Sequence, residues 1–91
     1  MIEEGVYYNT ENGLSRFYYG QGKWEGWILK KYRDGVTVYA PLNKDEPIPP
    51  SWWEAEDFVM DLLGECPEKV YKDVAIINDE LMWELYFTWD Y

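Results

Sequence analysis

The last eleven residues, 81–91, alternate almost perfectly in polarity. Leu81, Trp83, Leu85, Phe87, Trp89 and Tyr91 fall on one side of an extended chain, and Met82, Glu84, Tyr86, Thr88 and Asp90 on the other. Successive side chains of a strand point to opposite faces, so the pattern predicts a strand with one face on a core and one toward water. Such half-buried strands belong to antiparallel sheets, whose second face can stay wet. Residues 70–77 are the expected hairpin partner, joined through Asn78-Asp79 with or without Glu80; a second helix over 68–77 is the competing reading.

The first half of the chain reads the same way. Residues 5–10 are rich in β-formers and are followed by Asn12-Gly13, which tolerates the positive φ of a tight hairpin turn; residues 14–19 return. Gly20-Gln21-Gly22 breaks the chain. Residues 24–32 read as a third strand with Gly26 as a bulge or close-approach point. Asp34-Gly35 then turns the chain into 36–40. With those two residues as the loop, Lys31 pairs with Val38 and Leu29 with Ala40. That register sets Trp27, Leu29, Val36, Val38 and Ala40 on the core side. Ile28, Lys30, Tyr32, Thr37 and Tyr39 share the other face, which is mixed in character and open to exposure.

Residues 41–50 hold four prolines and form an extended spacer. Ser51 and Glu54 make a capping box. Ala55, Phe58, Val59, Leu62 and Leu63, joined by Trp52, repeat as one buried stripe of a helix. Gly64 ends that helix, and Pro67 forbids its continuation. The resulting order, β-β-β-β-α-β-β, predicts an α+β fold: an antiparallel sheet with one amphipathic helix packed on one face, in a single compact domain spanning 1–91.

Composition bounds the chemistry. The chain has no histidine, so the commonest general base and metal ligand are missing. The single Cys66 lies between Glu65 and Glu68, beside Pro67, where negative neighbours disfavour a thiolate. No phosphate-binding loop or calcium-loop spacing is present. The expectation is therefore no catalytic residue, no metal, no cofactor and no enzymatic activity. One cysteine, an N-terminus without a basic and apolar leader, and no apolar run long enough to span a bilayer point to the cytoplasm and away from membranes.

Charge is unevenly placed. The formal net charge is −10, from 18 acidic and 8 basic residues. Residues 1–43 carry five of each sign, whereas 44–91 carry thirteen acids and three bases, so the whole excess lies in the second half. Direct nucleic-acid binding is disfavoured, since phosphate contacts need Lys and Arg. A protein partner with a basic surface is favoured, met by a monomer or a homodimer.

Two features nominate a surface. Glu54, Asp57 and Asp61 follow helical spacing, with Glu56 beside them and Glu65 and Glu68 just beyond. The second feature is aromatic: 20% of residues are Phe, Trp or Tyr, with adjacent pairs at Tyr7-Tyr8, Tyr18-Tyr19 and Trp52-Trp53. Exposed Tyr and Trp dominate interface hot spots. The expected contact surface is Glu54, Glu56, Asp57, Asp61, Glu65 and Trp53, acting as an inhibitor that sets carboxylates and rings against the basic site of a nucleic-acid-handling protein. Phage anti-defence proteins, anti-CRISPR proteins among them, and nuclease-immunity proteins share this size, charge and composition, an analogy of general properties and not of sequence. The ordinary alternative for the acids is a solvated helix face. The alternative functions are a recognition module using Tyr8, Tyr19, Tyr32 or Tyr39 to hold a peptide or carbohydrate, and an assembly subunit pairing through the strand that ends at Tyr91.

Overall fold

The computed structural model describes residues 3–10, 13–32, 34–65 and 67–89, with side chains described from Phe17 onward. Six strands and one helix follow the expected order: β1 Glu3–Thr10, β2 Gly13–Tyr19, β3 Ile28–Lys31, β4 Gly35–Pro41, α1 Trp52–Leu63, β5 Glu68–Ile77 and β6 Glu80–Thr88. All neighbours are antiparallel, in the spatial order β1-β2-β3-β4-β6-β5. The fold is α+β, with α1 across one face of the sheet.

Local chemistry explains the helix ends. The Ser51 side chain accepts from the Glu54 amide at 3.1 Å, satisfying an amide the helix itself leaves free. At the other end Gly64, with φ 77°, donates its N–H to Met60 O at 2.9 Å. Between these caps Ala55, Phe58 and Val59 are fully buried, and Trp52, Leu62 and Leu63 pack at the margin, as the stripe predicts.

The core lies between α1 and the sheet face carrying Tyr18, Trp27, Leu29, Val36, Val38, Ala40, Leu85 and Phe87. Phe58 sits at 5.1 Å from the Trp24 ring and 5.3 Å from that of Trp27, and the two indoles meet edge-on at 5.0 Å. Trp52 meets Phe87 edge-on at 5.2 Å. The spacer of 42–51 is tied down where Lys72 Nζ donates to Pro50 O at 2.7 Å and lies 5.2 Å from the Trp52 ring.

Four expectations are corrected. The third strand is only Ile28–Lys31: Trp24 lies in a 3-10 turn, Gly22–Trp24, because Gly22 (φ 64°) and Gly26 (φ 90°) turn the chain before it can extend. Gly26 is a positive-φ corner that brings the chain close to Pro41, so the close-approach reading holds and the bulge reading does not. The β3–β4 register is Lys31 with Val36 and Leu29 with Val38, two residues from the expected pairing. The chain turns before Gly35: the Tyr32 amide donates to Gly35 O at 2.8 Å, and Gly35 opens β4 opposite Thr88. A Cβ there would lie 2.6 Å from Phe87 O, so the glycine serves close strand packing rather than the turn. A slip of two keeps every side chain on its face, and the predicted core set stands.

The third correction concerns the opposite face, where Ile28, Thr37 and Tyr39 are buried with Met82 instead of open. The fourth concerns β6. It is an interior strand between β4 and β5, so the strand leading to Tyr91 is not an edge; Tyr91 itself lies outside the described residues. Its large apolar face, with Leu85 and Phe87 fully buried, needs the cover of α1. The more polar β5 takes the rim, leaving Val74 and Ile76 exposed. The β5–β6 hairpin turns on Asn78 and Asp79 alone, both at positive φ (52° and 66°), with Ile77 paired to Glu80. Residues 68–77 are thus strand and not helix. The Asn12-Gly13 turn reading and that for Cys66 rest on Asn12 and Cys66, which lie outside the described residues.

Candidate functional site

Two surfaces gather side chains that the core does not consume. The first is the outer side of α1. Residues advance roughly 100° per step around a helix, so with Ala55, Phe58 and Val59 inward, the line pointing farthest out runs through Trp53, Asp57 and Met60. All three are exposed, Trp53 at 76% and Met60 at 46%. Glu54 and Asp61 flank this line on one side and Glu56 on the other.

The predicted carboxylates therefore do not form one free row. Asp61 Oδ2 accepts from Trp24 Nε1 at 2.7 Å and faces Lys23 Nζ at 3.6 Å. The indole hydrogen bond first, and then the ammonium, hold its carboxyl below the usual aspartate range. Glu56 is half-buried and pairs with Lys69 Nζ at 3.6 Å. Glu65 lies beyond Gly64, off the helix, and is exposed. Trp53, Glu54 and Asp57 remain together, exposed on the first two turns.

The second surface is the sheet face away from α1. Pairing of Tyr39 with Glu84, Thr37 with Tyr86 and Tyr71 with Tyr86 brings four tyrosines and a carboxylate from β4, β5, β6 and the residue after β3 onto one side. Tyr86 stands between two rings, Tyr71 at 5.5 Å and Tyr32 at 6.4 Å. Their hydroxyls are partnered: Thr37 Oγ1 and Tyr32 Oη are 3.0 Å apart, and Tyr71 Oη donates to Glu84 Oε1 at 3.2 Å. Tyr32, Asp34, Thr37, Tyr71, Glu84 and Tyr86 line a cleft of about 210 Å³.

Of the tyrosines expected to be available, Tyr19 is exposed, Tyr32 is half-buried, and Tyr39 is only 5% exposed and closed to contact. The Tyr8 side chain lies outside the described residues. Tyr71, Tyr86 and Glu84 were not in the expected set. Tyr86 and Glu84 share a parity in the alternating segment, which is a usable signal, but only the strand order adds Tyr71 and Tyr32.

Burial first, and then the negative charge of Glu84, push the Tyr71 phenol up to about 12; burial and its tyrosine and Glu84 neighbours push Tyr39 up as well. A raised phenol pKa means the folded state holds its proton where the unfolded chain has lost it. This contribution is thus complete below the ordinary tyrosine value of about 10 and is lost as pH rises through the folded value. Absorbance titration of the phenolates is expected to show two tyrosines ionising late, and stability to urea falling across that alkaline window. In Tyr71→Phe the late phase should shrink by one tyrosine and the fall in stability should become shallower. An unchanged profile would detach Tyr71 from the cluster.

Among the described residues, no three carboxylate or thiol groups converge on a point where a metal ion would be held, and no helix is long and apolar enough to cross a membrane. Comparison with protein-family models, with curated proteins and with solved structures finds no significant match to this chain.

Proposed function

We propose that this chain is a protein-binding domain that sets the outer face of α1 against a basic surface of its partner. The observation that carries the reading is Trp53: an indole 76% exposed at the centre of the face pointing away from the core, with Glu54 and Asp57 exposed around it. A tryptophan this exposed adds little to the buried core, and Trp is among the residue types most enriched at binding hot spots. The flanking carboxylates and the net charge of −10 give the partner's sign.

Within that class, the partner we infer is a nucleic-acid-handling protein whose basic site is blocked, in a reducing compartment such as the cytoplasm. The support is the acidic excess of residues 44–91. Because Asp61 and Glu56 are engaged internally, the blocking surface rests on an aromatic anchor with few free carboxylates, and not on a long row imitating phosphates. Reversing Asp61 is consequently a poor test, since it also removes the acceptor of Trp24.

The test is a pull-down with the wild-type chain, Trp53→Ala, and Glu54→Lys with Asp57→Lys, each at low and high salt, with DNA or RNA as competitor. The expected result is a basic protein whose retention falls at least about tenfold in Trp53→Ala. That retention should weaken with salt and in the charge-reversed variant, and nucleic acid should displace it. Identical retention by all three proteins would sink the proposal. Loss in the variants without displacement by nucleic acid would keep the α1 surface and remove the inhibitor class.

A further inference from the structure

The cleft on the opposite sheet face is independent of α1 and has its own chemistry. Three phenol rings wall it, Tyr32, Tyr71 and Tyr86, and two carboxylates, Glu84 and Asp34, line it with them. The Tyr32 and Tyr86 planes meet at 66° and those of Tyr71 and Tyr86 at 31°. Rings set at such angles enclose a small volume instead of forming the flat platform on which a sugar ring stacks. Aromatic faces carry negative potential and attract cations, and the flanking carboxylates add to that field. The chain already uses one of these faces so: Lys30 Nζ lies 5.2 Å from the Tyr32 centroid, and Lys30 is not among the lining residues of the cleft.

The hydrogen bonding narrows the class of cation. Tyr71 Oη donates to Glu84 Oε1, and Thr37 Oγ1 donates to Tyr32 Oη. A primary ammonium or guanidinium carries three to five N–H donors, and the three ring faces offer them no lone-pair acceptor, so each donor left unpaired on desolvation is costly. An alkylated ammonium has few or no such donors and presents a positive, apolar surface to the rings. The volume of about 210 Å³ is below the range of roughly 300–1,000 Å³ typical for drug-sized ligands, so the site suits a headgroup and not a whole large molecule. We propose that the cleft formed by Tyr32, Tyr71 and Tyr86 with Glu84 binds a trimethylammonium group, carried by a free choline-like molecule or by a trimethylated lysine side chain.

The test uses the full chain and three probes followed by NMR on the ring resonances: choline, a short peptide containing trimethyllysine, and 3,3-dimethyl-1-butanol, the uncharged isostere of choline. Saturable shifts at Tyr32, Tyr71 and Tyr86 are expected for at least one trimethylammonium probe, with the neutral isostere weaker by about tenfold or more. Tighter binding of the peptide than of choline, and of trimethylated over unmodified peptide, assigns the group to a modified lysine; tighter binding of choline assigns it to a small molecule. Tyr71→Ala, at a rim position 44% exposed, should keep the circular dichroism of the wild type and weaken binding several-fold, as should Glu84→Gln. Equal binding of the neutral isostere, no shift with either charged probe, or binding unaffected by both substitutions would each overturn the proposal. The isostere comparison needs no variant, so a misfolded mutant does not blunt it.

Discussion

Replacing Phe58 with alanine is expected to remove about 3–5 kcal/mol of stability, the range for deleting a fully buried aromatic ring. Phe58 has no exposed surface, and its ring lies within 5.1 Å of Trp24 and 5.3 Å of Trp27, so its loss leaves a void bounded by two indoles. Those indoles come from the 3-10 turn and the foot of β3, while Phe58 comes from the only α-helix among the described residues. One side chain therefore ties the helix to the segment that leads into β3. Total stability of a small domain is about 5–15 kcal/mol, and at this size each kcal/mol moves the midpoint by about 4–8 °C. The thermal midpoint should fall on the order of 20 °C. Met60→Ala, on the outer side of the same helix, is the control: at an exposed site the change should stay within about 0.5 kcal/mol. Thermal unfolding followed by circular dichroism compares the two. A shift below about 5 °C for Phe58→Ala would falsify the placement of α1 on this sheet face.

The parts of this fold legible in the sequence are those specified by neighbours in the chain. Ser51 and Gly64 bound α1 because both caps act on amides and carbonyls within four residues. The β5–β6 hairpin is legible because Asn78 and Asp79 tolerate positive φ and the flanks alternate. The β3–β4 register is not, because Gly35 has two possible reasons to be glycine. A turn needs its conformational freedom, whereas the actual site needs its missing Cβ beside Phe87 O, a contact 52 residues away in sequence.

The candidate surfaces divide along the same line. The helical spacing of Glu54, Asp57 and Asp61 could be read from the sequence alone. The occupation of Asp61 by Trp24, 37 residues away, could not. Nor could the tyrosine cleft, which exists because α1 carries the chain past the position of β6 before the last strand folds back between β4 and β5. Parity tells which residues share a strand face; only strand order tells which of them meet.

Gly20→Ala should be the most damaging of the conservative loop substitutions, although Gly20 has no unusual backbone angle. A Cβ on Gly20 would stand 2.2 Å from Trp24 O and 2.7 Å from Trp24 Cβ, contacts that neither atom can relieve by a side-chain rotation. The Gly20 amide also donates to Trp27 O at 2.8 Å, and Trp27 in turn donates to Trp24 O at 2.9 Å. The extra methyl must therefore open the whole loop. Overpacking of this kind costs about 1–3 kcal/mol. Gly22→Ala is the informative comparison: its φ of 64° strains an alanine, yet nothing lies within 4 Å of the added methyl, so roughly 1–2 kcal/mol of left-handed strain is all it incurs. The two differ more sharply in what they displace. If Gly20→Ala levers Trp24 away from Trp27 and Phe58, tryptophan emission should shift to the red. The Asp61 carboxyl, losing its indole donor, should also return toward the ordinary aspartate value of about 3.9 in an NMR titration. Gly22→Ala should leave both signals where they are. Loss of stability in Gly20→Ala without either spectroscopic change would place the damage elsewhere than in the loop that carries Trp24.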